Sequence, residues 1–214
     1  MEECHYCEGT DDKEEVYHEI IECITGALDA KDAYTAGHSQ RVSEMALKVC
    51  ELIGLKKKDI LKIHIAAHLH DIGKIGIDDK ILNKPGKLTK DEFEIIKTHT
   101  LIGARMLEDM EVYKNEPLVK MAYQICRWHH ERYDGKGYPD GLKGDDIPIS
   151  AQVVAIADVY DALVSDRVYK KAYSHEKAME MILAGECGTF NPLLLECLVD
   201  IQDTMQEDLN AGGV

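Results

Sequence analysis

No run of about 18 apolar residues occurs in this 214-residue chain, so nothing in it reads as a membrane-spanning helix. Its first 20 residues carry glutamates where a secretory signal would need an apolar core. Positive charge is also scarce. With 25 basic against 40 acidic side chains the formal net charge is -15, which argues against nonspecific attraction to polymeric nucleic acid or to an anionic membrane. The expectation is a soluble, cytoplasmic protein in which bound cations supply whatever local positive charge a phosphate ligand needs.

The period-two alternation of half-buried strands is scarce, and no internal repeat or low-complexity tract stands out. The seven cysteines are an odd number, and most lie inside helix-like patterns, which suits reduced core thiols better than a disulfide framework. Cys4-His5-Tyr6-Cys7 is the exception. It lacks a second pair at zinc-finger spacing, and it reads as part of a frayed N-terminus.

What the chain does contain is apolar residues at three- and four-residue spacing, the signature of amphipathic helices. Val16, Ile20, Ile21, Ile24 and Leu28 mark a first helix over 14–31. Val42, Met45, Ala46, Val49 and Leu52 mark a second, which ends at Gly54 as its C-cap. A third is expected over 57–71, and others over 90–110, 117–130, 150–166, 174–185 and 192–208. Between them lie a connector with Pro85-Gly86 and a loop over 131–149 that holds Gly135, Gly137, Gly141, Gly144, Pro139 and Pro148. A loop of that length inside a compact domain is usually functional or disordered, and the site candidates that flank it favour function. The pattern predicts an all-α, bundle-like domain of roughly eight or nine helices. Residues 14–208 are expected to form a single domain, between a flexible segment 1–13 and a disordered tail 209–214.

Candidate metal ligands fall at His38, His70, Asp71, His99, His129, His130 and Asp158, on several separate predicted helices. A bundle can gather such positions in its interior. Imidazole and carboxylate without thiolate suit iron, manganese or zinc. The set is too large for one ion, but a carboxylate bridging two ions roughly 3.5–4 Å apart accounts for it.

Most of these residues stand in longer motifs. His70-Asp71-Ile72-Gly73-Lys74 resembles the HD superfamily of metal-dependent phosphohydrolases, and His129 to Pro139 is similar to the HHExxxGxGYP element of its HD-GYP branch. The resemblance runs from Asp32-Ala33-Tyr34-Thr35-Ala36-Gly37-His38-Ser39 through Ile81 to Thr89 and on to Ala157-Asp158-Val159-Tyr160-Asp161, covering about residues 25 to 200. It implies an HD-domain helical bundle with a long GYP loop. It implies two divalent ions, iron or manganese foremost, one held by His38, His70 and Asp158 and the other by His99, His129 and His130, with Asp71 bridging. Relatives with a third ion carry a glutamate where this chain has Tyr34, so two ions are expected. His64 and His68 share a predicted helix with His70 but are not ligands in the family, and they are taken as packing or surface residues.

The activity implied is hydrolysis of cyclic di-GMP to pGpG, and onward to GMP in some members, by a hydroxide shared between the ions. Lys74 would contact phosphate and assist the leaving group. Tyr138 would stack on or hydrogen-bond the substrate, Arg167 and Lys170 would contact its phosphate, and Asp161 would orient a ligand or meet a base. The residues themselves do not name guanine, so another cyclic dinucleotide such as cyclic GMP-AMP stays open. So do a noncatalytic module that binds the nucleotide or a protein, and a phosphohydrolase of the wider HD group. Domains of this family commonly follow sensor or receiver domains. Too few residues precede Val16 to hold one, so the chain is expected to act alone, as a homodimer, or as the output domain of a fusion.

Overall fold

The structure, a computed structural model, describes residues 12–32, 37–166 and 171–211. Among these it has eleven α-helices and no strand: α1 (Asp12–Lys31), α2 (His38–Leu52), α3 (Lys57–Ala67), α4 (Asp79–Leu82), α5 (Lys90–Lys97), α6 (His99–Glu108), α7 (Pro117–Trp128), α8 (Ile149–Val164), α9 (His175–Leu183), α10 (Pro192–Asp200) and α11 (Gln202–Ala211). The all-α class is as expected, but the helices outnumber the eight or nine read from the sequence. Three expected helices are interrupted or shortened, and two of those changes fall at site residues.

The helix expected over 57–71 stops at Ala67. From there the chain tightens into bonds of the three-residue kind, Leu69 N–H to Ala66 O (3.0 Å) and His70 N–H to Ala67 O (3.2 Å), and enters a 3-10 turn over Ile72–Gly76. The helix expected over 90–110 breaks at Thr98, whose hydroxyl donates to the Ile95 carbonyl at 2.6 Å. The α5 segment starts in a full capping box, with Thr89 accepting from the Glu92 N–H and the Glu92 carboxylate accepting from that of Thr89. A third break, at Ile201, separates α10 from α11.

α8 is the central element. Ala151, Val153, Val154, Ile156 and Ala157 are all fully buried, as expected of a helix apolar around its whole circumference. α2 packs against α3 and α8, and α7 packs against α3, α6 and α8. One continuous core unites these helices, with Val42, Ile63, Ile125, Ile156, Ile182 and Leu198 among its members.

Two glycines bring α6 onto the turn after α3. A β-carbon at Gly73 would stand 1.9 Å from the His99 carbonyl oxygen, and one at Gly103 would stand 3.1 Å from the Gly73 nitrogen. Only hydrogen at these positions lets the two backbones touch, and this contact carries His99 to Asp71. No described helix is long and apolar enough to cross a membrane. Among the described residues Cys50, Cys126 and Cys197 are buried thiols.

Candidate metal centre

The turn that ends α3 aims His70 and Asp71 at the starts of α2 and α6, the end of α7 and the middle of α8. His38 opens α2 directly after Gly37, whose φ of 69° lies in the left-handed region and whose N–H donates to Asp29 Oδ2. His99 opens α6, His129 and His130 follow α7, and Asp158 lies on α8. His38, His70, His99 and His129 are each at most 3% exposed.

Three of the imidazoles are fixed in the same way. The Nδ1 atoms of His70, His99 and His129 lie 2.8, 2.7 and 2.9 Å from the carbonyls of Ala67, Ile96 and Ile125. A carbonyl there requires the proton on Nδ1, which leaves the lone pair of Nε2 facing inward. Burial pushes His99 down and His129 well down from the ordinary histidine range, and it lowers His130 to about 4. All three are therefore neutral electron-pair donors near pH 7.

Asp71 sits between two groups of these rings. Its Oδ2 lies 3.3 Å from His70 Nε2 and 2.7 Å from Lys74 Nζ, and its Oδ1 lies 3.2 Å from His99 Nε2 and 3.8 Å from His129 Nε2. Ligand atoms of Asp71, His99, His129 and His130 all fall within 4.8 Å of one another, and so do those of His38, His70 and Asp71. Asp158 joins through His38, whose Nε2 is 3.2 Å from its Oδ1. Burial would raise the Asp71 carboxyl, but Lys74 and His70 overrule it and hold it well below the usual range. Asp158 is likewise held ionised against burial, chiefly by His38.

His38 differs from the other rings. Burial disfavours its charge, yet Asp158 on one nitrogen and Asp161 on the other raise it to about 9. A cation bound between such groups takes the proton's place, because a metal ligand must give up its proton. His70 Nε2 and Asp71 Oδ1 are buried without a hydrogen-bond partner among the described residues. Orphaned polar atoms of this kind are rare in a protein interior. With a donor set of imidazoles and carboxylates, they fit a divalent metal.

Lys74 is 3.1 Å from Asp32 Oδ2 as well as touching Asp71. Burial opposes its charge, but the two carboxylates raise its pKa and keep it a cation. Tyr138 lies over His130, with ring centroids 4.8 Å apart, while Lys97 Nζ stands 5.4 Å from the Tyr138 centroid. Asp161 spends its carboxylate inward: Oδ2 accepts from His38 at 2.7 Å, and Oδ1 accepts from Arg41 Nε at 2.5 Å. It faces the ring of His38, a ligand candidate, and not an open surface where a base would bind. Arg167, Lys170 and Tyr34 lie outside the described residues, as do Cys4 and Cys7. His64 and His68 are buried and lie outside the ligand groups around Asp71, pushed by burial to about 4 and about 3.

The GYP loop is tied at several points. Asp140 accepts from Arg127 at 2.7 and 2.9 Å and from the Trp128 indole at 2.8 Å. Glu131 Oε1 accepts from the N–H groups of Asp140 and Gly141 at 2.7 and 2.9 Å. A β-carbon at Gly137 would stand 2.4 Å from the Glu131 Cα, so this crossing also needs glycine.

The HD domain family matches residues 22–190. This chain belongs to the HD domain family. Its paired histidines and GYP segment are those of the HD-GYP branch. The chain is 40% identical over 189 residues to a Thermotoga maritima protein named cyclic di-GMP phosphodiesterase, a match covering 88% of this chain and 50% of that protein. It is 38% identical over 192 residues to 3'3'-cGAMP-specific phosphodiesterase 2 of Vibrio cholerae, covering 90% of this chain and 36% of the relative. Among solved structures, an HDG"Y"P protein from Bdellovibrio bacteriovorus shares the fold with a TM-score of 0.64 at 19% identity, over 89% of this chain and 62% of that one. The chain spans about half the length of the curated relatives it matches.

Arg41, Asp32, Glu131 and Asp140 were not singled out from the sequence as functional. Arg41 and Asp161 had a readable signal, since each lies one helical turn after a ligand candidate, His38 and Asp158. Asp32 opens a motif of the resemblance, but its contact with Lys74, across 42 positions, is not readable from spacing.

Proposed function

We propose that this domain is a metal-dependent cyclic dinucleotide phosphodiesterase, with cyclic di-GMP hydrolysed to pGpG as its leading reaction and further cleavage to GMP as a following one. The observation that carries the reading is Asp71, with one carboxylate oxygen toward His70 and the other toward His99 and His129. His38, His70 and Asp158 would hold one divalent ion, and His99, His129 and His130 a second, with Asp71 shared and iron or manganese the metals that suit the donors. Such ions, when bound, supply an acidified water at neutral pH and positive charge against the phosphodiester.

The chain's own residues do the rest. Lys74, kept protonated, places its ammonium within reach of the phosphate and can neutralise or protonate the departing ribose oxygen. Asp32 holds that ammonium against solvent and sets its direction. Tyr138 offers a ring face beside His130 for a base and a hydroxyl for a phosphate oxygen. Arg167 and Lys170 would add phosphate contacts, and Asp161 acts by orienting His38.

Residues 14–208 form the proposed catalytic domain, acting in the cytoplasm on a soluble nucleotide. The exposed Val16, Ile20 and Ile24 on α1 support a homodimer, while fusion to a sensor or receiver domain is the other arrangement the family resemblance suggests. Cyclic GMP-AMP is the second substrate considered, because a relative named for that specificity is 38% identical.

The test is product identification after incubation of the anaerobically purified, metal-analysed protein with cyclic di-GMP, cyclic GMP-AMP and cyclic di-AMP, with Asp71→Ala alongside. The wild type is expected to release pGpG, and the variant to lose both metal and turnover. A metal-loaded wild type that leaves every substrate uncut refutes the enzyme reading. Full metal content in the variant refutes the shared role of Asp71.

A further inference from the structure

A second group of titratable side chains stands apart from the centre, where α1 crosses the end of α3. His18 lies against His64 and His68 with ring centroids 5.3 Å away in both cases, stacked on the first and edge-on to the second. Glu22, one turn along α1, brings its carboxylate to 3.7 Å from His18 Nδ1. Ligand atoms of His18, Glu22 and His68 all lie within 4.8 Å of one another.

Two observations separate this group from ordinary packing. His18 is 7% exposed, and its Nε2 is buried without a hydrogen-bond partner among the described residues. His68 faces two acceptors: its Nδ1 is 3.1 Å from the His64 carbonyl and its Nε2 is 3.2 Å from Gln40 Oε1. A neutral imidazole has one N–H for the two, so one lone pair is left against an oxygen. A cation lying among these groups would accept electron pairs from nitrogen and oxygen alike. His64 stacks on His18 but is not within the grouped ligand atoms, and its Nδ1 lies 2.7 Å from the Ser43 hydroxyl.

We propose that His18, Glu22 and His68 form a second divalent-cation site, separate from the centre around Asp71 and suited to zinc. Two imidazoles and one carboxylate are a donor set that zinc takes with one position left open. Zinc bonds of about 2.0–2.2 Å require the ligand atoms to draw together slightly. Glu22 is exposed and free to close that gap by a rotamer change. A cation here would pin α1 to the helix that ends at His70 and Asp71, and so would join the edge of the fold to the support of its centre.

The test counts zinc. The full chain is stripped with chelator, loaded with zinc, desalted and analysed by mass spectrometry for bound metal, in parallel for wild type, Glu22→Ala and His18→Phe. Both variants are expected to bind one equivalent less than wild type while keeping manganese-supported hydrolysis unchanged. Circular dichroism checks that His18→Phe is folded, and Glu22→Ala alters only an exposed side chain, so it reports even if the other does not fold. Equal zinc content in wild type and Glu22→Ala overturns the site. Because zinc content is read without substrate, the result stands whether or not the phosphodiesterase reading survives.

Discussion

Asp161 is buried and has both carboxylate oxygens committed, one to His38 and one to the exposed Arg41. In the proposed reading it would fix the orientation and basicity of a ring that itself faces Asp158. Groups placed behind a metal-binding histidine commonly contribute about 10–100-fold to metal affinity. Asp161→Asn, which preserves shape but removes the charge, is expected to weaken metal binding on that scale while the far-UV spectrum stays native. Metal titration of the variant checks it, and unchanged affinity would show that His38 needs no such support. At this scale the sequence was informative where chemistry is local: every ligand candidate but His99 sits in a short motif whose donor types can be read without knowing the fold. It did not show that Asp32 meets Lys74, a contact that exists because α1 ends beside the turn that carries Lys74.

Elements meet here through glycine and through a few tethers on a loop. Gly73 cannot accept a β-carbon without displacing the start of α6, so Gly73→Ala is expected to cost about 3 kcal/mol or more and to impair metal binding. Gly26, inside α1 with nothing within 4 Å of the place a methyl would occupy, gives the opposite sign: Gly26→Ala should stabilise by about 0.5–1 kcal/mol. Thermal melts of the pair check both, and a similar response from the two would remove the argument from close approach. The GYP loop is anchored by Asp140, whose carboxyl is lowered first by its hydrogen bond to Arg127 and then by Trp128, with burial opposing. A depressed carboxyl contributes stability that is present above its unfolded value of about 3.9 and is lost as the pH falls through the lower folded one. Asp140→Asn should accordingly loosen the loop at neutral pH and converge with wild type in strong acid. Proteolysis of the loop measured across pH decides it, and a constant difference at every pH would rule out the ionic tether. The helix breaks at Ala67 and Thr98 were not legible, because apolar spacing continues across both while the local hydrogen bonds change register.

Across the whole molecule the candidate ligands link α2, α6, α7, α8 and the turn after α3, so a bound cation would cross-brace most of the core. Anything that binds the folded state and not the unfolded one raises stability by mass action. Chelation is therefore expected to lower the melting temperature, and readdition of manganese or iron to restore it. A melting curve indifferent to chelator would mean that the cluster is stable without metal. The acidic surface, with its formal net charge of -15, makes a cation the natural source of local positive charge for a phosphate ligand.

The sequence by itself determined the helical class, the approximate extent of most helices, the ligand residue types and the family, because apolar period and donor chemistry are written in neighbouring residues. Only the tertiary structure decided which oxygen of Asp71 meets which histidine, that Asp161 turns inward to His38, that Lys74 lies between two carboxylates, and that His18 meets His68 across 50 positions of chain. Each of these depends on the direction in which a side chain leaves its element and on how closely two backbones approach, and neither quantity is carried by spacing along the chain.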